Sequence, residues 1–404
     1  MNNNREPHPV DNSALLHLAV HTEQHSNVFR LEAHTVSAIR PVKLQQAADA
    51  VAVHFPMLAA GIRKQKNGYA VVPCPEQLDI RVDEQPLAFM SMKEIASCAM
   101  RVRYGPHHIA VEFFHALTDG AGGLQFLQAL LAEYLGAPWE PVPERQAWED
   151  SVFRYAGDRP TRMPGGASYL LPPAPQESAI HRTTLTVSVA ALREKTGNVT
   201  LTAFFAALFA RTAMELQRAQ VTPDRPLQPV QVMVPIDLRK KFPSASLRNF
   251  SLYALPKLTP EAAGVPFREQ AESMAAQLRA QSTLPCLRAT LAAHTELARR
   301  TAALPLWMKC AALRAGFAVC GGHSSCITVS NLGQVSFPDA VRRELVRLDF
   351  LLTPRAHSPY NCGIVSVGDT LSLTITRRGK EAGVEKRFVT GLVRRGIVPA
   401  VAED

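Results

Sequence analysis

The sequence predicts an α/β (α+β) protein built from two lobes. Its 404 residues are more than one compact core usually contains and suit two such cores. Residues 138–178 are rich in proline and glycine, a composition typical of a connection between folded units. On both sides of this stretch, some segments alternate apolar and polar residues, as strands do. Others repeat apolar residues at helical spacing. We therefore predict an N-terminal lobe over 1–145, a linker over 146–178 and a C-terminal lobe over 179–404.

The N-terminal lobe contains strand patterns followed by helix patterns. Residues 28–39 predict a strand, and residues 42–57 place apolar side chains on one side of a helix. Residues 68–72 predict a further strand. Residues 103–114 alternate as one strand, and apolar residues over 124–134 then recur at helical spacing. The lobe therefore ends in a strand, a turn and a helix.

The C-terminal lobe shows the same two kinds of pattern. Residues 182–187 alternate as a strand, and the helix predicted over 201–216 is apolar nearly all round, which indicates a buried helix. Residues 230–236 predict a buried strand. Residues 370–376 alternate cleanly as a strand, and residues 384–393 follow as a helix.

One apolar segment, residues 304–320, has several interpretations. It predicts a helix that could line an acyl pocket or lie on a membrane surface with Lys309 and Arg314 outward. We favour a third interpretation, in which the helix packs on the sheet of the second lobe.

The composition excludes several classes of protein. The chain is 47% apolar and 20% charged, as in globular proteins. It has no apolar run long enough for a transmembrane segment, and its first residues show no secretory signal. Seven cysteines at irregular spacing indicate reduced thiols and predict a cytoplasmic protein. No motif with metal-ligand spacing is present, so we expect no metal site.

The run Phe114-His115-Ala116-Leu117-Thr118-Asp119-Gly120 carries the strongest chemical signal. It joins the predicted strand at 103–114 to the helix at 124–134. A histidine at a strand end can reach into a cleft, where a neutral imidazole can accept a proton. Asp119 can fold back beneath the turn, and Gly120 permits a backbone that a Cβ would obstruct. On these residues alone, a structural histidine is the commoner role.

Three later segments accompany this run. The first is the strand ending in Val234-Pro235-Ile236-Asp237-Leu238-Arg239, followed by Arg248-Asn249-Phe250. The second is Ile327-Thr328-Val329-Ser330-Asn331-Leu332-Gly333, and the third is Val384-Glu385-Lys386-Arg387-Phe388 near the C-terminus. By charge pattern alone Arg239 would belong to a solvated basic run, and residues 331–333 would form an ordinary turn.

In this order, the four segments resemble the chloramphenicol-acetyltransferase-like superfamily. That superfamily contains nonribosomal-peptide condensation domains, plant BAHD acyltransferases and alcohol O-acetyltransferases. Within it, the sequence most resembles bacterial alcohol O-acetyltransferase-like proteins. Its HHxxxDG signature matches at His115, Asp119 and Gly120, while Phe114 stands in place of the first histidine. The resemblance covers most of the chain.

The resemblance implies a fold and a set of roles. It implies two similar lobes, each a mixed sheet with helices, with a channel between them. His115 would be the general base. Asp119 would pair with Arg239 from the other half of the protein, with Asn249 supporting the site. Ser330 or Asn331 would line the channel and hold the developing oxyanion.

The resemblance also implies the substrates. We expect an acyltransferase that moves an acyl group from acyl-CoA to a small hydroxyl or amine acceptor, with no tightly bound cofactor. One alternative is a stand-alone condensation-type enzyme that takes its donor from an acyl-phosphopantetheine carrier protein. Another is a non-catalytic member that binds a ligand or a carrier. We expect a monomer that binds no nucleic acid.

The charge agrees with an anionic partner. The formal net charge is +9 and the sequence pI is about 9.3. This basic excess would suit coenzyme A or an acidic carrier protein. The densest basic group is Arg377, Arg378 and Lys380, after the strand at 370–376.

Overall fold

A computed structural model describes residues 6–66, 68–74, 77–161, 166–171, 179–220, 226–318, 324–355, 358–379 and 382–402. The elements up to the predicted linker are β1 (His8–Pro9), α1 (Asn12–Ala19), β2 (Val28–Thr35), α2 (Pro41–His54), β3 (Ala60–Gln65), β4 (Gly68–Pro73), β5 (Ile80–Val82), α3 (Met92–Ser97), β6 (Met100–Gly105), β7 (His108–Phe114), α4 (Gly120–Leu135) and α5 (Glu144–Ala147). The later elements are α6 (Ser151–Tyr155), β8 (Ile180–Ser188), α7 (Val189–Thr196), α8 (Leu201–Gln220), β9 (Val230–Asp237), β10 (Ser251–Ala254), β11 (Lys257–Leu258), α9 (Phe267–Gln281), α10 (Leu284–Thr301), α11 (Leu306–Gly316), β12 (Ile327–Val335), α12 (Asp339–Glu344), β13 (Leu345–Leu352), β14 (Tyr360–Val367), β15 (Thr370–Arg378), α13 (Gly383–Val393) and β16 (Ala400–Val401).

The first lobe is built on a five-stranded sheet in the order β13-β2-β7-β6-β5. Its pairs are antiparallel except β5–β6, which is parallel. Helices α2 and α4 pack together, and the core gathers the rings of Phe29, Phe113 and Phe126. A small separate sheet, β1-β4-β3, lies beside this lobe.

The second lobe is built on a larger sheet in the order β10-β9-β12-β14-β15-β8-β16, with β11 beside β9. Strand β12 runs parallel to both of its neighbours, and the remaining pairs are antiparallel. The buried helix α8 packs on this sheet, and α9 and α13 pack against α8. Phe209 of α8 stacks on Phe388 of α13 at 4.1 Å between ring centroids. The architecture is the predicted one, mixed sheets with helices in two lobes.

One strand crosses between the lobes. β13 lies late in the chain, yet it pairs with β2 along the edge of the first sheet, with Leu352 opposite Phe29 and Phe350 opposite Leu31. Its side chains Leu348 and Phe350 are buried in the first core. The C-terminal part of the chain therefore completes the N-terminal lobe.

A buried network of ion pairs in the first lobe also reaches the second lobe. Arg30 on β2 contacts Glu32 at 2.6 Å and Glu112 at 3.1 Å, and all three side chains are buried. Arg182 on β8 reaches Glu32 at 3.0 Å. Burial alone would raise the pKa of Glu32, but Arg30, His34 and Arg182 hold it well below its usual range. The interface between the lobes therefore contains paired charges as well as apolar contacts.

Three sequence predictions are wrong in the first lobe and in the helix at 304–320. Residues 103–114 form the end of β6, a turn at 106–107 and β7, because Gly105-Pro106 cannot continue a strand ladder. The strand at 28–39 ends at Thr35, before Pro41 starts α2. Helix α11 has no buried residue and contacts α1 rather than the sheet of the second lobe.

Other predictions can be compared with the structure directly. The predicted linker contains α6, and Tyr155 at its end stacks on Phe242 of the second lobe. The six described cysteines form no disulfide with one another. No single helix in the described part of the chain is long and apolar enough to cross a membrane, although the bent pair α7–α8 meets that test jointly.

Candidate active site

A cavity of about 440 Å³ lies between the lobes, where α1, α4 and β13 face β9, β10 and β12. Its polar lining residues are His17, Asn27, His115, Asp119, Gln125, Gln128, Asp237, Arg239, Lys240, Ser251, Tyr253, Thr328, Ser330, Asn331, Thr353, Arg355 and Asn361. All the site residues predicted from the sequence line this cavity except Asn249. Asn249 is outside the lining and contacts the imidazole of His115. The structure therefore brings together segments that are more than 200 residues apart.

His115 is held at the end of β7 by two contacts with Asn249. The amide Nδ2 of Asn249 donates to the backbone carbonyl of His115 at 2.8 Å, and its Oδ1 lies 3.0 Å from Nδ1 of the imidazole. A carbonyl oxygen only accepts hydrogen bonds, so the first contact fixes the orientation of the amide. Oδ1 then faces Nδ1, which must carry the ring proton. Nε2 is left unprotonated as the basic nitrogen.

His17, on α1, lies against the same imidazole. The two rings stack at 4.5 Å between centroids, with 12° between their planes. Burial, and then the proximity of His115 and Arg355, holds the pKa of His17 well below its usual range. Burial also lowers the pKa of His115, although its own carbonyl, Asp119 and Asn249 oppose the shift. Both rings are therefore neutral near pH 7, as a general base requires.

Asp119 fixes the turn below His115. It caps α4, and its Oδ1 accepts from the amide of Gly122 at 3.1 Å. Its Oδ2 accepts from the backbone of Phe250 at 2.8 Å and from Nη1 of Arg239 at 2.9 Å. The pairing with Arg239 that the resemblance implies is thus present, and it links the two halves of the chain.

Arg239 is itself fully engaged. Its Nε donates to the carbonyl of Ser246 at 2.8 Å, its Nη2 to that of Arg248 at 2.6 Å, and its Nη1 also to Asp237 at 3.1 Å. Burial lowers the pKa of this guanidinium, but Asp119 and Asp237 outweigh burial and raise it. Arg239 is therefore a structural charge that orders the segment carrying Asn249, and not a member of a solvated basic run.

In this turn, an added Cβ would meet closer neighbours at Gly122 than at Gly120. Gly120 is the first residue of α4, with an ordinary φ, and a Cβ there would lie 3.0 Å from the side chain of Leu332. A Cβ at Gly122 would lie 2.2 Å from Thr118 Oγ1 and 2.8 Å from the backbone oxygen of Leu247. The expectation for Gly120 therefore needs correction, since the obstructed backbone is at Gly122.

The two candidates for the oxyanion differ in their contacts. Asn331 donates from Nδ2 to Thr202 Oγ1 at 3.0 Å and accepts from the amide of Gly333 at 2.8 Å. Ser330 lines the cavity, and no hydrogen bond of its hydroxyl is found among the described residues. The available hydroxyl of Ser330 makes it the better donor toward a ligand.

Two residues that line the cavity, His17 and Arg355, were not predicted from the sequence. His17 lies on a short helix that the hydrophobic pattern did not predict, although Asp11 caps it by accepting from the amide of Ala14 at 2.7 Å. Arg355 follows β13, where nothing in the sequence marks it as different from the other arginines. An Asp three residues before the amide that it caps was the one signal that could have revealed α1.

The basic group at the end of β15 is not an open anion site. Arg377 is buried and pairs with Glu385 at 2.8 Å. Arg378 donates to the carbonyls of Pro354 and Glu23. Lys380 lies outside the described residues. The densest basic group of the sequence is therefore engaged within the protein at Arg377 and Arg378.

Two other features lie apart from this cavity. Glu32, His34 and Asp349 place ligand atoms within 4.8 Å of one another, but arginines already pair with both carboxylates. A cleft of about 1260 Å³ on the second lobe shares no lining residue with the cavity between the lobes. Neither feature touches His115.

Comparisons with known proteins support the fold. The sequence matches no protein-family model and no curated protein. F. sporotrichioides TRI101 complexed with coenzyme A and T-2 aligns with a TM-score of 0.63 at 14% identity, over 98% of this chain and 99% of that one. Polyketide synthase associated protein 5 from Mycobacterium tuberculosis aligns with a TM-score of 0.59 at 16% identity, over 95% and 97%. The starter condensation domain of rhizomide synthetase RzmA, in complex with C8-CoA and Leu-SNAC, aligns with a TM-score of 0.62 at 12% identity, over 96% and 94%.

Proposed function

We propose that this chain, which has the two-lobed fold of the chloramphenicol-acetyltransferase-like superfamily, is an acyltransferase with His115 as its general base. One observation carries the proposal. Asn249 fixes the proton of His115 on Nδ1 and leaves Nε2 free, at a cavity between the lobes. A neutral imidazole in this tautomer can deprotonate a hydroxyl or an amine as it attacks a carbonyl.

The chemical steps need only the groups that line the cavity. Nε2 of His115 takes the proton of the acceptor while the acceptor oxygen or nitrogen attacks the thioester carbon. The hydroxyl of Ser330 donates to the oxygen that becomes negative. The C–S bond then breaks, and the imidazolium returns its proton to the leaving thiolate. No covalent acyl-enzyme is required, because both substrates can meet in one cavity.

The acyl donor in this proposal is acyl-CoA. TRI101 and the RzmA domain were crystallised with coenzyme A or C8-CoA. The formal net charge of +9 also suits an anionic donor such as coenzyme A. The acceptor is a small molecule with a hydroxyl or an amine, and no tightly bound cofactor takes part.

The test is acyl transfer by wild type and by the His115→Ala variant. Free thiol is followed with acetyl-CoA and longer acyl-CoAs against a pool of alcohols and amines. We expect the substitution to reduce kcat by about 10²- to 10⁴-fold, the usual contribution of a positioned base, with an unchanged melting temperature. The matched control is His54→Ala, at an exposed histidine that ends α2. Unchanged turnover in folded His115→Ala protein would reject the mechanism.

A second candidate is a condensation-type enzyme that takes its donor from a carrier protein. The likeness to the RzmA condensation domain favours it. Transfer from an acylated carrier protein, together with inactivity toward every acyl-CoA, would select this candidate. A non-catalytic role is the third alternative, and the ordered His115–Asn249 pair argues against it.

A further inference from the structure

Arg355 presents an unpaired cation to the cavity. Its side chain has no carboxylate and no hydrogen-bond partner among the described residues. Its Cζ lies 5.7 Å from the centroid of the Phe317 ring, and Tyr253 interacts with its charge. Arg239 in the same cavity makes hydrogen bonds from each of its nitrogens. A guanidinium without such partners can bind an anionic group of a ligand.

The other charges of the cavity do not neutralise Arg355. Both lining carboxylates, Asp119 and Asp237, accept from Nη1 of Arg239. The remaining cation, Lys240, donates to the carbonyl of Leu332 on β12 at 3.5 Å. Arg355 is half-buried, and burial lowers its pKa.

Arg355 lies on the side of the cavity where the base acts. The amide of Thr353, two residues before Arg355, donates to the carbonyl of Val28 at 3.1 Å, and the amide of His115 donates to the carbonyl of the adjacent Asn27 at 2.8 Å. The two segments therefore lie side by side at the cavity. The molecule that His115 deprotonates must touch that imidazole. Because Arg355 lines the same cavity as His115, a second group of that molecule has access to its guanidinium.

We propose that Arg355 binds a carboxylate of the acceptor, so that the acceptor is a hydroxy acid or an amino acid rather than a neutral alcohol. This inference rests on the proposed function. The planar guanidinium matches a carboxylate through two parallel hydrogen bonds. The phosphates of coenzyme A lie at the opposite end of the pantetheine arm from the thioester, so they do not reach Arg355 while the thioester is at His115.

The kinetic test uses acceptors that differ in one charge. 4-Hydroxybenzoate, 3-hydroxybutyrate and alanine are each compared with their methyl esters, in wild type, Arg355→Gln and Arg355→Lys. We expect wild type to prefer the acids, and Arg355→Gln to lower kcat/KM for them by about 10- to 100-fold, the contribution of a charged hydrogen bond. The esters should change little, and Arg355→Lys should retain part of the preference. Arg268→Gln, at a side chain 88% exposed on α9, is the charge-matched control.

Two results would overturn the proposal. One is an equal kcat/KM for acid and ester in wild type, or an equal decrease of kcat/KM for both in Arg355→Gln. The other is a dependence on Arg355 that follows the donor, seen when succinyl-CoA is compared with butyryl-CoA and one neutral acceptor. That second result would place the carboxylate on the acyl chain.

A binding measurement separates this inference from the proposed reaction. Melting temperatures are recorded with each acid and each ester at millimolar concentration, without any acyl-CoA. If no donor supports transfer, stabilisation of wild type by an acid but not by its ester, lost in Arg355→Gln, still supports the subsite. If no acid stabilises wild type more than its ester does, the carboxylate subsite is rejected even where transfer is found.

Discussion

Asn249 determines how His115 can act. The side chain is nearly fully buried, and it uses its amide nitrogen on one carbonyl and its amide oxygen on the imidazole. Because the two ends of an amide differ chemically, this single residue selects one tautomer of the histidine. Sequence reasoning placed Asn249 as a support of the site but could not show that it contacts the base.

Replacement of Asn249 by Ala should lower kcat more than it raises KM. The imidazole would lose the acceptor that holds the proton on Nδ1, so a smaller fraction of the enzyme would carry a free Nε2. We expect a decrease of about 10- to 100-fold in kcat. Steady-state kinetics at saturating donor measure it. A rise in KM with unchanged kcat would assign Asn249 to substrate binding instead.

The pH dependence of catalysis should reflect the burial of His115. Burial lowers the pKa of this base from its ordinary value of 6.5. The active form is unprotonated, so kcat/KM should be constant near pH 7 and fall only when the pH drops through the lowered pKa. A pH profile of kcat/KM between pH 4.5 and 8 tests this. An acidic limb with a midpoint above 6.5 would contradict it.

His17 and His115 should also make unfolding sensitive to acid. Both have a lower pKa in the folded protein than in the unfolded chain, so the unfolded state binds more protons below about pH 6.5. Their contribution is complete above that pH and is lost as the pH falls through the folded values. Replacing His17 by Gln should therefore flatten the decrease of the free energy of unfolding between pH 6.5 and 5, as measured by urea denaturation. An unchanged slope would show that His17 titrates normally.

At the scale of elements, the turn before α4 joins the two halves of the chain through Asp119 and Arg239. Each side chain is about nine-tenths buried, so neither charge is well solvated without its partner. Removing one partner of a buried pair usually costs about 3–5 kcal/mol. Arg239 also satisfies two backbone carbonyls, so its loss should disturb the segment that presents Asn249.

A double-mutant cycle on Asp119→Ala and Arg239→Ala measures this coupling. Each single substitution should destabilise the protein by about 3–5 kcal/mol, and the double variant should cost less than the sum. Urea denaturation of all four proteins gives the free energies of unfolding. Strict additivity would show that the contact at 2.9 Å contributes no coupling energy.

Gly122→Ala should destabilise α4 in spite of the better helix propensity of alanine. The new Cβ would meet the backbone oxygen of Leu247, which cannot move as a side chain can. We expect a loss of about 1–3 kcal/mol, as for other overpacked sites. Gly383→Ala at the first residue of α13, where a Cβ meets nothing within 4 Å, is the matched control and should be neutral or stabilising. Equal melting temperatures for the two variants would contradict the steric argument.

The elements show what the sequence could and could not predict. Long periodic segments such as α8 and β15 were predicted within a few residues, because burial on one or all faces leaves a regular pattern. The sequence predicts one strand where the structure has the hairpin of β6 and β7, because alternation continues through its short turn. Helix α11 is apolar but has no buried residue, and apolarity alone does not report burial. No sequence pattern distinguishes Arg355, because its proposed role depends on the partners that the described residues place around it.

At the scale of the whole molecule, neither lobe is complete in a continuous piece of chain. β13 supplies the edge of the first sheet and part of its core, although it follows most of the second lobe. Without β13, the backbone of β2 would be an open edge and Phe29 would lose its contact with Phe350. The predicted boundary at residue 145 therefore separates regions of sequence that the fold does not separate.

Expression of residues 1–145 alone should test this dependence. We expect a fragment that aggregates or melts without a cooperative transition, because its sheet lacks an edge strand and its core is incomplete. Co-expression with residues 146–404 should recover a soluble complex. Circular dichroism melts and size-exclusion chromatography distinguish the two cases. A cooperatively folded 1–145 fragment would show that β13 is dispensable for the first lobe.

The crossing of β13 also limits how small molecules can enter and leave the cavity between the lobes. A clamshell opening of the two lobes would have to strip β13 from β2, breaking a ladder that runs from Leu345 to Leu352. Under the proposed function, acceptor and thioester would therefore enter the cavity while the lobes stay joined, and the products would leave in the same way. Side chains at the entrance to the cavity could then select substrates by size without contacting His115.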